Sequence, residues 1–134
     1  MEGYKRNRYY LDTLVIQESP RLIFLQEVWL AHHEEEVLNK DFPNYNFKIA
    51  TPDMFDHSED KINCPGQVWH GAAIAWHNDL HSFVTPLIST HERFAAVLIR
   101  VSSLTSILAI SLYAPTSGKD DDFLECINVK LHIL

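Results

Sequence analysis

The stretch that decides the fold is Ser19-Pro20-Arg21-Leu22-Ile23-Phe24-Leu25-Gln26-Glu27-Val28-Trp29-Leu30, early in a chain of 134 residues. Pro20 ends any helix before it, because the residue preceding a proline is pushed out of the helical region. The continuous apolar run Leu22–Leu25 is typical of a strand that is covered on both faces. Gln26 and Glu27 then end this strand with polar side chains.

Helical and extended patterns continue on both sides of this strand. Upstream, apolar spacing predicts a helix over Tyr4–Glu18. Its predicted apolar stripe consists of Tyr10, Leu11, Leu14 and Val15. Downstream, a short helix is predicted over Ala31–Asn39, with acidic residues in its first turns as the helix dipole favours. Alternation of apolar and polar residues then predicts a strand over Tyr45–Ala50.

The second half of the chain is rich in strand-like runs. The predicted strands are Gly71–Trp76, His81–Ile88, Phe94–Val101 and Ser106–Tyr113. Their short connections indicate antiparallel neighbours. A last helix, with acidic residues at its start, is predicted over Asp120–Leu134. The order of elements predicts an α/β or α+β fold, with about one sheet carrying flanking helices.

Composition and charge limit the class of protein. The chain is 46% hydrophobic and 22% charged, which indicates one globular domain. Its net charge of -7 disfavours binding nucleic acid by phosphate neutralisation alone. A metal-dependent enzyme on phosphate esters is compatible with this charge, because divalent cations supply positive charge. No membrane-spanning run and no signal peptide is found, so we expect an intracellular protein of the nucleus or cytoplasm, not secreted.

Glu27 is the most informative single residue. It lies directly after a predicted buried strand, and ligands of α/β sheets bind at the carboxyl ends of strands. A carboxylate in that place is a suitable ligand for Mg²⁺ or Mn²⁺. The alternative is that Glu27 only ends the strand in solvent. Tyr113 ends the last predicted strand, and its hydroxyl could point across the same sheet end as Glu27. It is a candidate donor to a phosphate oxygen, or otherwise a tyrosine that caps the core.

Other candidate residues favour structural roles. His77 and His81 are four apart, but a predicted turn separates them, so the helical spacing of a zinc site does not apply. His32 and His33 are adjacent and face different ways. Trp76 could stack on a base, yet large aromatic side chains at strand edges more often pack in the core.

Taken in order, these stretches resemble the N-terminal half of the endonuclease/exonuclease/phosphatase superfamily. The likeness is greatest to the apurinic-like endonuclease domains of non-LTR retrotransposons. Four stretches carry it: Ser19–Leu30 with its Leu-Gln-Glu, His70–Trp76, His91–Val97 and Leu112–Pro115. The resemblance implies a partial four-layer α/β-sandwich and metal-assisted hydrolysis of a phosphodiester, with nucleic acid (DNA) as the partner. Abasic DNA, target-site DNA, RNA and small phosphate esters all suit the superfamily as substrates.

The resemblance also assigns individual residues. The metal-binding glutamate of the family falls on Glu27 and its active-site tyrosine on Tyr113, while Arg93 matches an arginine expected to be structural. The implied cofactor is Mg²⁺ or Mn²⁺, bound weakly if the domain is incomplete. Family segments that carry a first strand, a GDFN sequence and an SDH sequence find no match, so residues 1–134 are expected to form one incomplete domain without that strand and the C-terminal half.

Three hypotheses follow from the sequence. The first is a nuclease-type phosphodiesterase domain, incomplete or inactive alone. The second is a catalytically dead mobile-element fragment, which could self-associate through the apolar face of the Asp120–Leu134 helix. The third is an acidic α/β interaction module in which Glu27 only ends a strand.

Overall fold

The computed structural model describes residues 3–30, 34–50, 71–88 and 93–113. Helix α1 spans Tyr4–Glu18 and helix α2 spans Glu35–Asp41. The six strands are β1 Leu22–Gln26, β2 Tyr45–Ala50, β3 Ala72–His77, β4 Val84–Pro86, β5 Phe94–Arg100 and β6 Ser106–Leu112. The predicted helix Asp120–Leu134 and the pair His32 and His33 lie outside the described residues.

Helix α1 has the predicted bounds but a different buried face. Tyr4 and Leu11 are buried and Val15 packs against the same core, whereas Tyr10 is 73% exposed and Leu14 42% exposed. The predicted stripe was therefore rotated about the helix axis, because the Tyr4 ring and not Tyr10 meets the core. The helix ends at Ser19, which takes a left-handed conformation directly before Pro20.

The strands form two antiparallel sheets of three. The first sheet has the order β1-β3-β2 and the second has the order β4-β5-β6. This mixed α+β architecture is consistent with an α/β sandwich, so the predicted fold class is confirmed. The expectation of about one sheet is wrong in detail. β3 does not pair with β4, the next strand along the chain, but with β1 and β2.

Two clusters of buried side chains separate three layers. One cluster joins helix residues Tyr4 and Leu11 to the side of the first sheet that carries Ala73 and Ala75. The other lies between the sheets and joins Ile74 and the rest of the opposite face of β3 to the second sheet. The layers among the described residues are therefore helices, first sheet and second sheet, and β3 is covered on both faces.

β1 and the segment after β3 differ from their predictions. Phe24 of β1 is 49% exposed, because this strand lies at one end of the sheet and lacks full cover on that face. The predicted strand His81–Ile88 is a 3-10 helix over Asn78–Phe83 followed by the short strand β4. The His77 imidazole accepts the Asp79 backbone N–H at 3.2 Å and so caps this helix. No helix in the described ranges combines the length and the apolar character needed to cross a bilayer.

Candidate active site

Strands β1 and β6 belong to different sheets but end side by side. The Ser111 hydroxyl of β6 donates to the Leu25 carbonyl of β1 at 2.9 Å in a buried hydrogen bond. The Gln26 amide of β1 donates to the Leu112 carbonyl of β6 at 2.6 Å. The residue that follows each strand is thereby brought to a common rim of the molecule.

Glu27 and Tyr113 are those two residues, and their side chains meet. A hydrogen bond with the Glu27 side chain is the largest cause that raises the pKa of the Tyr113 phenol; partial burial and the negative charge of Glu27 add to it. Both residues are of intermediate exposure. At neutral pH the phenol is therefore a protonated donor beside a carboxylate that solvent reaches. The two candidates from the sequence lie together, at the junction of two sheets and not at one end of a single sheet.

Arg93 completes this rim from the other side. Its guanidinium carbon lies 5.4 Å from the centroid of the Tyr113 ring, within cation–π range. Its carbonyl accepts the Tyr113 backbone N–H at 2.9 Å. The positive charge of Arg93 also lowers the pKa of the phenol, against the larger effect of Glu27. An arginine that the resemblance gave as structural thus lies in contact with a candidate site residue.

The backbone at Glu27 is unusual for a residue with a side chain. Its φ of 54° places it in the left-handed region, as does the φ of 53° at Trp29. Such conformations cost of order 1–3 kcal/mol and cluster at functional sites. The surrounding chain imposes this conformation, because the Glu27 carbonyl accepts the Gly3 N–H at 2.8 Å and Val28 donates to Gly71 at 3.2 Å.

Gly3 permits this arrangement at the start of α1. Its φ is +75°, and a Cβ built there would lie 2.8 Å from Cε3 of the Trp29 ring. Only glycine accommodates both the backbone angle and the approach of the indole. The start of α1 therefore supports the segment that presents Glu27.

The histidine and tryptophan candidates belong to the core and its edge. Trp76 is 2% exposed in the cluster between the sheets, and its indole N–H donates to Nδ1 of His81 at 3.3 Å. His77 instead contacts Asp79, with 3.4 Å between Nδ1 and the carboxylate. The two histidines have separate partners, and neither lies among the contacts that form the Glu27–Tyr113 rim.

The donor set at the rim allows a test of the implied metal. Within the described residues, no group of three or more His, Cys, Asp or Glu side chains could hold an ion. Mg²⁺, however, keeps several waters and is usually held by one or two carboxylates together with substrate phosphates. Among the described residues, the rim offers the single carboxylate of Glu27 and no metal-binding group of the protein's own. A cation at the rim is therefore a matter for proposal.

Sequence reasoning missed Gln26 and Ser111 as residues of this site. Their side chains bridge the sheets, but the sequence does not reveal which distant strand each one faces. A signal existed only for Gln26, whose polar side chain interrupts the apolar strand one residue before Glu27.

Comparisons with known proteins bear on the fold. No protein-family model and no curated protein matches the sequence. Among solved structures, the chain is similar to the AP endonuclease LMAP from Leishmania major, with a TM-score of 0.69 and 16% sequence identity. The match covers 99% of this chain and 46% of the endonuclease, so the chain spans less than half the length of that enzyme.

This likeness shows the fold alone, an α/β sandwich. In that fold, the rim that carries Glu27, Tyr113 and Arg93 is the candidate site. The particular reaction and substrate are a matter for proposal, because a likeness at this identity concerns the fold alone.

Proposed function

We propose that this chain is a nuclease-type domain of a metal-dependent phosphodiesterase that acts on nucleic acid. The observation that carries the proposal is the hydrogen bond between Glu27 and Tyr113 at the junction of the two sheets. The similar fold of an AP endonuclease supports nucleic acid as the substrate class. A negatively charged chain can act on such a substrate if a cation neutralises the phosphate.

Each rim residue has a distinct proposed role. Glu27 supplies one carboxylate ligand to Mg²⁺ or Mn²⁺. When bound, such a cation polarises the phosphate and offsets the charge that develops during hydrolysis. The Tyr113 phenol donates a hydrogen bond to a phosphate oxygen. Arg93 fixes the Tyr113 ring and adds positive charge beside its phenol. We assign no described residue to the activation of the attacking water.

The relation to non-LTR retrotransposon endonucleases is a further part of the proposal. It rests on the Leu-Gln-Glu stretch that ends at Glu27 and on the Leu112–Pro115 stretch that contains Tyr113. A preference for abasic DNA over intact target-site DNA would separate the apurinic and the retrotransposon types of substrate.

A nicking assay tests the function. Purified protein is incubated with supercoiled plasmid and with a duplex containing an abasic site, in Mg²⁺, Mn²⁺ or EDTA. We expect Mn²⁺ to bind and EDTA to abolish any cleavage, and the variants Glu27→Gln and Tyr113→Phe to lose roughly 10²–10³-fold in rate. Glu36→Gln is the matched control, because this glutamate is exposed on α2.

Two results would contradict the proposal. Cleavage that persists in Glu27→Gln would show that the rim does not perform the reaction. A folded protein that neither cleaves DNA nor binds Mn²⁺ would favour the alternatives, an inactive mobile-element fragment or an acidic interaction module. Self-association through the Asp120–Leu134 helix stays a prediction, since that segment lies outside the described residues.

A further inference from the structure

The two bridges between β1 and β6 form a reciprocal clamp. Gln26 on β1 donates to a carbonyl of β6 at 2.6 Å, and Ser111 on β6 donates to a carbonyl of β1 at 2.9 Å. Each strand thus supplies one side-chain donor and one backbone acceptor. The clamp joins two sheets between which the described strands show no backbone pairing.

The hydrogen bond from Gln26 to the Leu112 carbonyl lies one residue before each of the two rim residues. Gln26 immediately precedes Glu27, and its acceptor Leu112 immediately precedes Tyr113. A bond that fixes these preceding positions leaves little freedom in the span between the carboxylate and the phenol. Displacements of about 1 Å at reacting groups can cost 10²-fold in rate. The distance between the Glu27 carboxylate and the Tyr113 phenol therefore matters for the reaction rate.

We propose that Gln26 is a positioning residue, which sets the distance between the Glu27 carboxylate and the Tyr113 phenol by bonding β1 to β6. The use of this distance in phosphodiester chemistry rests on the proposed function. The geometric part of the inference stands apart from it, because the Glu27–Tyr113 hydrogen bond is a property of the folded chain.

Stability alone does not account for Gln26. Its side chain is exposed, whereas Ser111 is 2% exposed and its hydrogen bond is buried. An exposed hydrogen bond exchanges readily with water and contributes little to folding, while a buried one is costly to lose. Ser111 and the apolar core between the sheets therefore hold the sandwich together, and Gln26 adjusts its rim.

The contacts of Tyr113 with Arg93 make the rim sensitive to Gln26. The Tyr113 backbone N–H is bonded to the Arg93 carbonyl at 2.9 Å, and the Arg93 guanidinium lies over its ring. These contacts fix Tyr113 relative to β5 and β6. Gln26 acts on the other partner of the pair, at the end of β1.

Fluorine NMR of the full chain, labelled with 3-fluorotyrosine, tests this inference. The Tyr113 resonance is assigned by its absence in Tyr113→Phe, and Glu27→Ala provides its position when the hydrogen bond is lost. We expect Gln26→Met to move the resonance most of the way towards the Glu27→Ala position, with an unchanged far-ultraviolet circular dichroism spectrum. Gln17→Met, the same substitution at an exposed site of α1, should leave it in place.

A native Tyr113 resonance in folded Gln26→Met protein would overturn the proposal. Loss of folding in that variant would also overturn it, because the role of Gln26 would then be structural. The readout needs neither DNA nor a metal. A moved resonance in a chain that neither cleaves DNA nor binds Mn²⁺ would therefore uphold the clamp and reject the proposed function, and the two failures are distinguishable.

Discussion

At the scale of single residues, the backbone of Glu27 is held where side chains are disfavoured. The left-handed φ of 54° costs a residue with a Cβ about 1–2 kcal/mol relative to glycine. The Gly3 N–H donates to the Glu27 carbonyl and the Val28 N–H donates to the Gly71 carbonyl. These two hydrogen bonds hold the segment in this shape. A glutamate in that position is explained more readily by what its carboxylate does than by stability.

A comparison of glycine and alanine at position 27 tests this cost. Both substitutions remove the carboxylate, and only alanine retains the Cβ. We expect Glu27→Gly to unfold with a free energy about 1 kcal/mol higher than Glu27→Ala, measured by urea denaturation. Equal stabilities would show that the backbone at this position is not strained.

At the scale of elements, the burial of α1 is set by a narrow face. Leu11 is 3% exposed and belongs to the core beneath the helix, while Leu14 is 42% exposed on the same helix. Both are leucines with equal helix propensity, so their contributions to stability differ through burial alone. The helix reaches the first sheet through Tyr4, Leu11 and Val15.

Truncation of these two leucines distinguishes the observed face from the stripe predicted by sequence. We expect Leu11→Ala to lower the free energy of unfolding by about 2–5 kcal/mol, through lost burial and a residual cavity. Leu14→Ala should change it by about 0.5 kcal/mol or less, as exposed substitutions do. The free energies of unfolding are measured by urea denaturation. Similar decreases in both variants would contradict the placement of α1.

At the scale of the whole molecule, a polar cluster joins the start of α1 to the end of α2. The Tyr4 hydroxyl donates to the Asp41 carboxylate at 2.6 Å, and the Arg8 guanidinium lies 3.3 Å from the same carboxylate. Burial, followed by the hydrogen bond and the charge of Asp41, raises the pKa of Tyr4 well above its usual value of 10.0. The folded state thus favours the neutral phenol.

This shift makes stability fall at alkaline pH. Below the ordinary tyrosine pKa of 10.0 both states keep the proton, so the stabilisation is fully present. As the pH rises above that value the unfolded chain loses the Tyr4 proton while the folded chain retains it, and the free energy of unfolding declines. Urea midpoints between pH 9 and 11 should show a decline in native protein and in Tyr9→Phe, and a shallower one in Tyr4→Phe. Identical slopes in Tyr4→Phe and native protein would contradict this linkage.

Helix α1 and strand β2 were predictable from the sequence, because their signals lie among neighbouring residues. The bounds of α1 followed from its spacing and from Pro20, and β2 followed from alternation, because both signals lie within the element itself. Glu27 and Tyr113 were also identifiable, since each polar side chain ends an apolar run. Their placement on one rim was an expectation from strand ends and a resemblance.

Tertiary structure alone decided which strands pair and which side chains bridge them. β3 joins β1 and β2, and not the following β4, because its two faces must meet both the helices and the second sheet. The bridges from Gln26 and Ser111 cross 86 positions of the chain, a separation over which local sequence carries no pairing information. The sequence by itself identified Glu27 and Tyr113, whereas long-range packing of two sheets determined that they meet and that Gln26 and Ser111 bridge the strands beside them.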